Sequence, residues 1–235
     1  MDDSVRDAAL RYVRERYPLA ELVVVAGSSA GVRLPRSDID LLVIGPSAMF
    51  PGDAAEAAHT DLVRGELFEV FASTPETFRA HAVAGVARFR PVSSQMLVDG
   101  AVVLDHGVHD ELVAWTRALV AAGPRPTAEE LAQRRYSVTC TLDDLLDSED
   151  PVERAVLSGT LFERLGELLL LADGRWIGSG RWLLRRLQQW DPAFTAELGA
   201  ALAARDVPAL ERLTLEGLAP HGGRLLEGHV RGATA

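Results

Sequence analysis

The stretch ELVVVAGSSAGVRLPRSDIDLLVIG, residues 21–45, decides how the rest of the chain reads. Its two ends, ELVVVAG (21–27) and DIDLLVIG (38–45), are apolar runs closed by glycine, the pattern of buried strands. Yet the second run carries Asp38 and Asp40. Side chains two apart in a strand leave the same face, so both carboxylates point one way and Ile39 the other. Two carboxylates side by side repel and resist burial unless something positive joins them. A hard divalent cation, most simply Mg²⁺, supplies that charge and prefers carboxylate and phosphate oxygens. ELFEVFA (66–72) reads as a third strand, and Glu69 stands in it between Phe68 and Val70. With Val70 and Phe71 marking a buried strand, a charge there calls for a partner. If the second and third strands are neighbours, three carboxylates converge on one or two metal ions. At the end of the first strand, Gly27 permits close backbone approach and Ser28 can donate to a phosphate.

Working outward, residues 2–17 alternate charge with Val5, Ala8, Ala9, Tyr12 and Val13, an amphipathic helix stopped by Pro18. His59, Leu62 and Val63 form a helical pattern between the second and third strands. Ser73-Thr74-Pro75-Glu76 starts another helix, with proline at its first position and a capping glutamate. AVVLD (101–105) is a further strand or a loop edge. After AAGPRP (121–126) the character changes, and no strand pattern follows. Thr127 and Glu130 form a capping box, Pro151 opens a helix through Leu171, and Gly174, Gly178 and Gly180 interrupt the chain before RWLLRRLQQW. The expected fold is α/β (α+β). A small mixed sheet flanked by helices occupies residues 1–122, and an all-α helical bundle occupies 123–235.

The 235 residues suit one large or two small domains, and 48% hydrophobic with 25% charged residues is a globular balance. Cys140 is the only cysteine, so no intrachain disulfide forms. The opening MDDSVRDAALR is acidic where a signal peptide would be basic, and no apolar run approaches membrane-span length. A cytoplasmic protein is the expectation. The net charge is −10, which disfavours extended nucleic-acid binding. Every basic residue is arginine, so P-loop and Schiff-base chemistry, which require lysine, are excluded.

Gly27-Ser28, Ser37-Asp38-Ile39-Asp40-Leu41 and Glu69 together resemble the DNA polymerase β-like nucleotidyltransferase superfamily, within it the aminoglycoside nucleotidyltransferases and their uncharacterised bacterial relatives. The resemblance covers roughly residues 20–110. It implies an N-terminal nucleotidyltransferase catalytic domain and a helical substrate-binding domain. It also implies that Gly27, Ser28 and Ser37 meet the nucleoside triphosphate, ATP above others. Asp38 and Asp40 would bind Mg²⁺, with Glu69 completing the metal site or acting as base. The loop from Ser28 to Asp38 is one residue shorter than the family's common spacing and holds Arg33 and Arg36, which can meet the phosphates. The implied reaction moves a nucleoside monophosphate, AMP from ATP, onto a hydroxyl of a small molecule such as an aminoglycoside or sugar, with release of pyrophosphate. Transfer to a tRNA or protein acceptor, as in toxin-type relatives, and a non-catalytic nucleotide sensor are the alternatives. A homodimer is compatible with each.

Other residues read two ways. Arg181 and Arg185, four apart, can line one helix face toward the triphosphate with Arg186, and Tyr136 can stack on a base; the same residues also suit a solvated face. Asp143, Asp144 and Asp147 suit a cationic acceptor or plain surface charge. Trp176, Trp182 and Trp190 read as core. His106 and His109 lack further ligands at zinc spacing, Cys140 has no histidine nearby, and Gly178-Ser179-Gly180 follows no strand, so zinc, thiol and dinucleotide readings fail.

Overall fold

The computed structural model describes residues 1–27 and 38–227. The chain divides into two compact units, the first ending at Ala122 and the second beginning at Gly123.

The first unit is built on five strands: β1 (Leu22–Ala26), β2 (Ile39–Ile44), β3 (Glu56–Val63), β4 (Glu66–Ser73) and β5 (Ala101–Asp105). They form one mixed sheet in the order β3-β4-β2-β1-β5, with β2 and β4 parallel and the other pairs antiparallel. Both faces of β1 and of the C-terminal half of β2 are apolar because both are covered. Val23, Val25, Ile39, Leu41, Val43, Phe68 and Val70 pack under α1 (Asp3–Arg16) through Val5, Ala9, Tyr12 and Val13. Leu22, Val24, Leu42 and Ile44 on the opposite face pack under α2 (Pro75–Ala87), α3 (Val92–Asp99) and α4 (His109–Ala121). Three layers result, the common solution for burying a two-faced sheet.

The segment around His59 is the main correction to the sequence reading. It is strand β3, not a helix, and its residues alternate between exposed and half-buried. Arg64 and Gly65, with φ of 55° and 85°, make the two-residue turn into β4. Two successive positive φ values suit the twist of a tight hairpin. His59 and Asp61 of β3 turn toward α1, where they find partners. The Tyr12 hydroxyl donates to Asp61 Oδ2 at 2.7 Å and lies 3.1 Å from His59 Nε2. Burial, reinforced by that bond to Asp61, raises the Tyr12 phenol well above its ordinary pKa. The Tyr12 ring stacks on Phe68 with centroids 4.4 Å apart. Thr74 caps α2 by accepting from Thr77 N at 3.2 Å, while Glu76 lies in the first turn.

The second unit is helical: α5 (Ala128–Asp147), α6 (Pro151–Ala172), α7 (Arg181–Trp190), α8 (Pro192–Ala204) and α9 (Val207–Leu218). Its core is a leucine cluster including Leu142, Leu145, Leu161, Leu165, Leu198 and Leu210. The capping box of Thr127 and Glu130 opens α5. Asp150 opens α6, its Oδ1 accepting from Val152 N at 2.7 Å and Glu153 N at 2.9 Å. The bonds from Glu153 and then Val152 hold that carboxyl below its ordinary pKa. A carboxyl depressed on folding adds stability above its unfolded pKa, and that stability is lost as pH falls through the folded one. Asp150→Asn keeps a capping oxygen but no charge. The wild type is therefore expected to exceed Asp150→Asn in urea midpoint at neutral pH. The gap closes as pH falls below about 4. A gap independent of pH would refute the charged cap.

Among the described residues, no helix is long and apolar enough to cross a membrane.

Candidate metal centre

β2 lies between β1 and β4, and that position assembles the acidic residues. Asp40 pairs in register with Ala26 on β1 and with Glu69 on β4. Asp38 comes two residues earlier and leaves the same face of the strand. All three side chains are half-buried, and each offers a carboxylate oxygen within 4.8 Å of the others. The parallel pairing of β2 and β4 accounts for the convergence, because it sets Glu69 beside Asp40 rather than on a separate edge. Among the described residues, no other group of three histidine, cysteine or carboxylate side chains comes together in this way.

The three oxygens fit a small divalent ion. Octahedral Mg²⁺ with bonds near 2.1 Å sets neighbouring ligand oxygens about 3 Å apart and opposite ones about 4 Å apart. The 4.8 Å limit is within a small side-chain rotation of that spacing. Oxygen-only donors match Mg²⁺ or Mn²⁺ better than softer metals. Gly27 adds a steric observation. It has φ of 64°, and a Cβ built there would land on Asp40 Oδ2. The absence of a side chain at Gly27 is therefore what lets the Asp40 carboxylate occupy its place.

The remaining sequence-predicted residues divide as follows. Ser28, Arg33, Arg36 and Ser37 lie outside the described residues. Arg181 and Arg185 are exposed on α7 of the second unit, and the Arg185 guanidinium lies over the Trp182 ring, 4.7 Å from its centroid. Trp182 is itself 46% exposed, which corrects its reading as core. Trp190 packs edge-on against Phe194 beside the leucine cluster, as a core tryptophan should. Arg186 Nη1 donates to the Trp176 carbonyl at 3.0 Å, and Tyr136 is half-buried on α5. Asp143 pairs with Arg224, while Asp144 and Asp147 are exposed. His109 Nδ1 lies 3.2 Å from Asp110, and neither it nor His106 joins a metal-type cluster. The expectation that Phe71 is buried fails. It is 37% exposed on the same face as Glu69. Sequence reasoning assigned Gly27 to close backbone approach; its contact with Asp40 needs the β1–β2 register, which no local pattern encodes.

No family model matches the chain, and no curated protein matches it. Among solved structures, the chain is similar to a nucleotidyltransferase-like protein from Exiguobacterium sibiricum 255-15, with 12% identity and a TM-score of 0.45 over 92% of this chain and 77% of that one.

Proposed function

We propose that this chain is a Mg²⁺-dependent nucleotidyltransferase that moves a nucleoside monophosphate, AMP from ATP, onto a hydroxyl of a small molecule. One observation carries the reading: Asp38, Asp40 and Glu69 meet beside a glycine that makes room for Asp40. Asp38 and Asp40 would hold the ion from alternate positions on one strand face, and Glu69 lies beside them on β4. The bound ion would supply charge neutralisation at the phosphate oxygens. The acceptor oxygen forms a bond to the α-phosphorus, the bond from that phosphorus to the departing pyrophosphate breaks, and the hydroxyl proton passes to a carboxylate. Glu69 is suited to take it, a role worth about 10²–10⁴-fold in rate. Ser28, Ser37 and Arg36 are the proposed phosphate contacts, and Arg181 and Arg185 a proposed second set. Residues 1–122 would serve as catalytic domain and residues 123–235 as acceptor-binding domain of a cytoplasmic enzyme.

Calorimetric titration of ATP, GTP, CTP and UTP, with and without Mg²⁺, tests this. Micromolar binding of one triphosphate, lost without the metal, is the expected result. Equal binding with and without Mg²⁺, or none in the presence of an acceptor mixture, would refute it.

A further inference from the structure

A second cluster of polar side chains lies on the opposite face of the sheet from the carboxylates. On β3, Thr60 stands level with Glu69, so its neighbours His59 and Asp61 leave the other face together, toward α1. Helix α1 brings Tyr12, and the residue that caps its C-terminus, Tyr17, brings a second phenol. Four polar atoms converge there. Tyr12 Oη lies 2.7 Å from Asp61 Oδ2 and 3.1 Å from His59 Nε2. Tyr17 Oη lies 3.4 Å from the same histidine nitrogen, which is 3.6 Å from Asp61 Oδ2. Both tyrosines are buried, while the side chains of His59 and Asp61 are 34% and 28% exposed and open the cluster to solvent.

Hydrogen bonding does not account for all of these contacts. The one hydroxyl proton of Tyr12 goes to Asp61. Tyr12 then needs a proton from His59 Nε2, and a nitrogen that carries a proton cannot accept one from Tyr17. If Nε2 is bare it accepts from Tyr17, but it then meets the Tyr12 oxygen lone pair to lone pair. No protonation state of His59 serves both tyrosines with separate hydrogen bonds. A cation at the centre removes the conflict, because each of the four atoms can turn a lone pair toward it.

The spacing suits such an ion. Tyr12 Oη, His59 Nε2 and Asp61 Oδ2 can all lie about 2 Å from one point, an ordinary bond length from a metal to nitrogen or oxygen. Tyr17 Oη is near the separation of neighbouring ligands, about 3 Å, from His59 Nε2. The donors then choose the metal. Imidazole suits iron, zinc and copper rather than Mg²⁺. Two phenolates and one carboxylate bring three negative charges around a neutral imidazole, which a trivalent ion cancels and a divalent ion does not. Charge left uncancelled among buried groups is costly. Arg16 approaches Asp61 at 3.9 Å, but its side chain is 60% exposed and water screens it.

We propose that Tyr12, Tyr17, His59 and Asp61 bind one ferric ion, which ties α1 to β3. On binding, each phenol gives its proton to solvent and its oxygen forms a bond to the iron; no electron is transferred. The site is separate from Asp38, Asp40 and Glu69 and does not depend on the nucleotidyltransferase reading.

The test titrates the full chain with ferric nitrilotriacetate. Iron held by phenolate absorbs visible light by charge transfer from ligand to metal, and iron on carboxylates alone does not. Colour therefore distinguishes this site from the acidic cluster. The expected result is one iron per chain, a visible band, and tyrosinate vibrations in the Raman spectrum excited within that band. Tyr12→Phe and Tyr17→Phe keep their rings; each should weaken the band, and the double variant should lose it. Tyr136→Phe, at the remaining tyrosine, should leave it unchanged. Absence of a visible band, a band without tyrosinate vibrations, or a band that survives the double variant overturns the assignment. Zn²⁺ that binds the wild type but not the double variant, with no colour from iron, gives the cluster to a divalent ion and overturns it too. The wild-type Raman spectrum needs no substitution, so it decides the matter even if the double variant does not fold.

Discussion

Asp40→Asn is expected to abolish the gain in thermal stability that Mn²⁺ gives the wild type, and to lower nucleotidyl transfer by at least about 10³-fold. The size of the first effect follows from linkage: an ion present at about 100 times its Kd stabilises the folded state by about 2.7 kcal/mol. Asp40 stands in register with both Ala26 and Glu69, so losing its charge removes one of the three converging carboxylates. Supporting groups one step removed from a metal typically cost 10–100-fold when lost, and a direct ligand costs more. Asparagine keeps the shape of aspartate, so β2 and its packing are retained. Asp144→Asn, at an exposed carboxylate on α5, is the control and should leave both readouts unchanged. An equal Mn²⁺-induced rise in melting temperature in wild type and Asp40→Asn would show that the three carboxylates do not bind the ion.

What could be read from the chain was whatever local pattern encodes. β1 and β2 were legible because a short β-branched run closed by glycine is seldom anything but a buried strand, and Asp38 and Asp40 stood out against one of them. The helix starts at Thr127 and Pro151 were legible because capping is a matter of neighbouring residues. β3 was not. His59, Leu62 and Val63 lie three and four residues apart, which imitates one helix face, while the true alternation is hidden by polar residues on the covered side. The inward His59 and Asp61 are stabilised by Tyr12, which lies far away in sequence. The Arg64-Gly65 pair was the available signal, since a glycine in a two-residue link between strand-like runs marks a hairpin. Helices α3 and α4 went unanticipated too. The acidic cluster was legible residue by residue, yet its assembly depends on β4 pairing parallel to β2, a long-range fact.

Gly27→Ala separates backbone geometry from site geometry, and its effect on metal binding should approach that of Asp40→Asn. Gly27 carries two burdens at once. Its φ of 64° is strained for any side-chain-bearing residue, and a Cβ there would collide with the Asp40 carboxylate, with Asp40 Cγ only 2.9 Å away. Gly65 carries the first burden alone: its φ is 85°, and nothing lies within 4 Å of a Cβ built on it. Gly65→Ala therefore reports the cost of a left-handed alanine, about 1–2 kcal/mol, with no expected change in metal affinity. Gly27→Ala should cost more than that in urea unfolding, because Asp40 must also swing aside, and should weaken Mn²⁺ binding at least tenfold. In an Asp40→Ala background the collision partner is gone, so adding Gly27→Ala should cost only about what Gly65→Ala does. That non-additivity is the signature of a direct contact, since residues that touch couple while distant ones add. If Gly27→Ala instead behaves like Gly65→Ala in the wild-type background and retains Mn²⁺ affinity, the glycine serves the turn alone, and Asp40 owes its position to β2 and its register rather than to the space beside it.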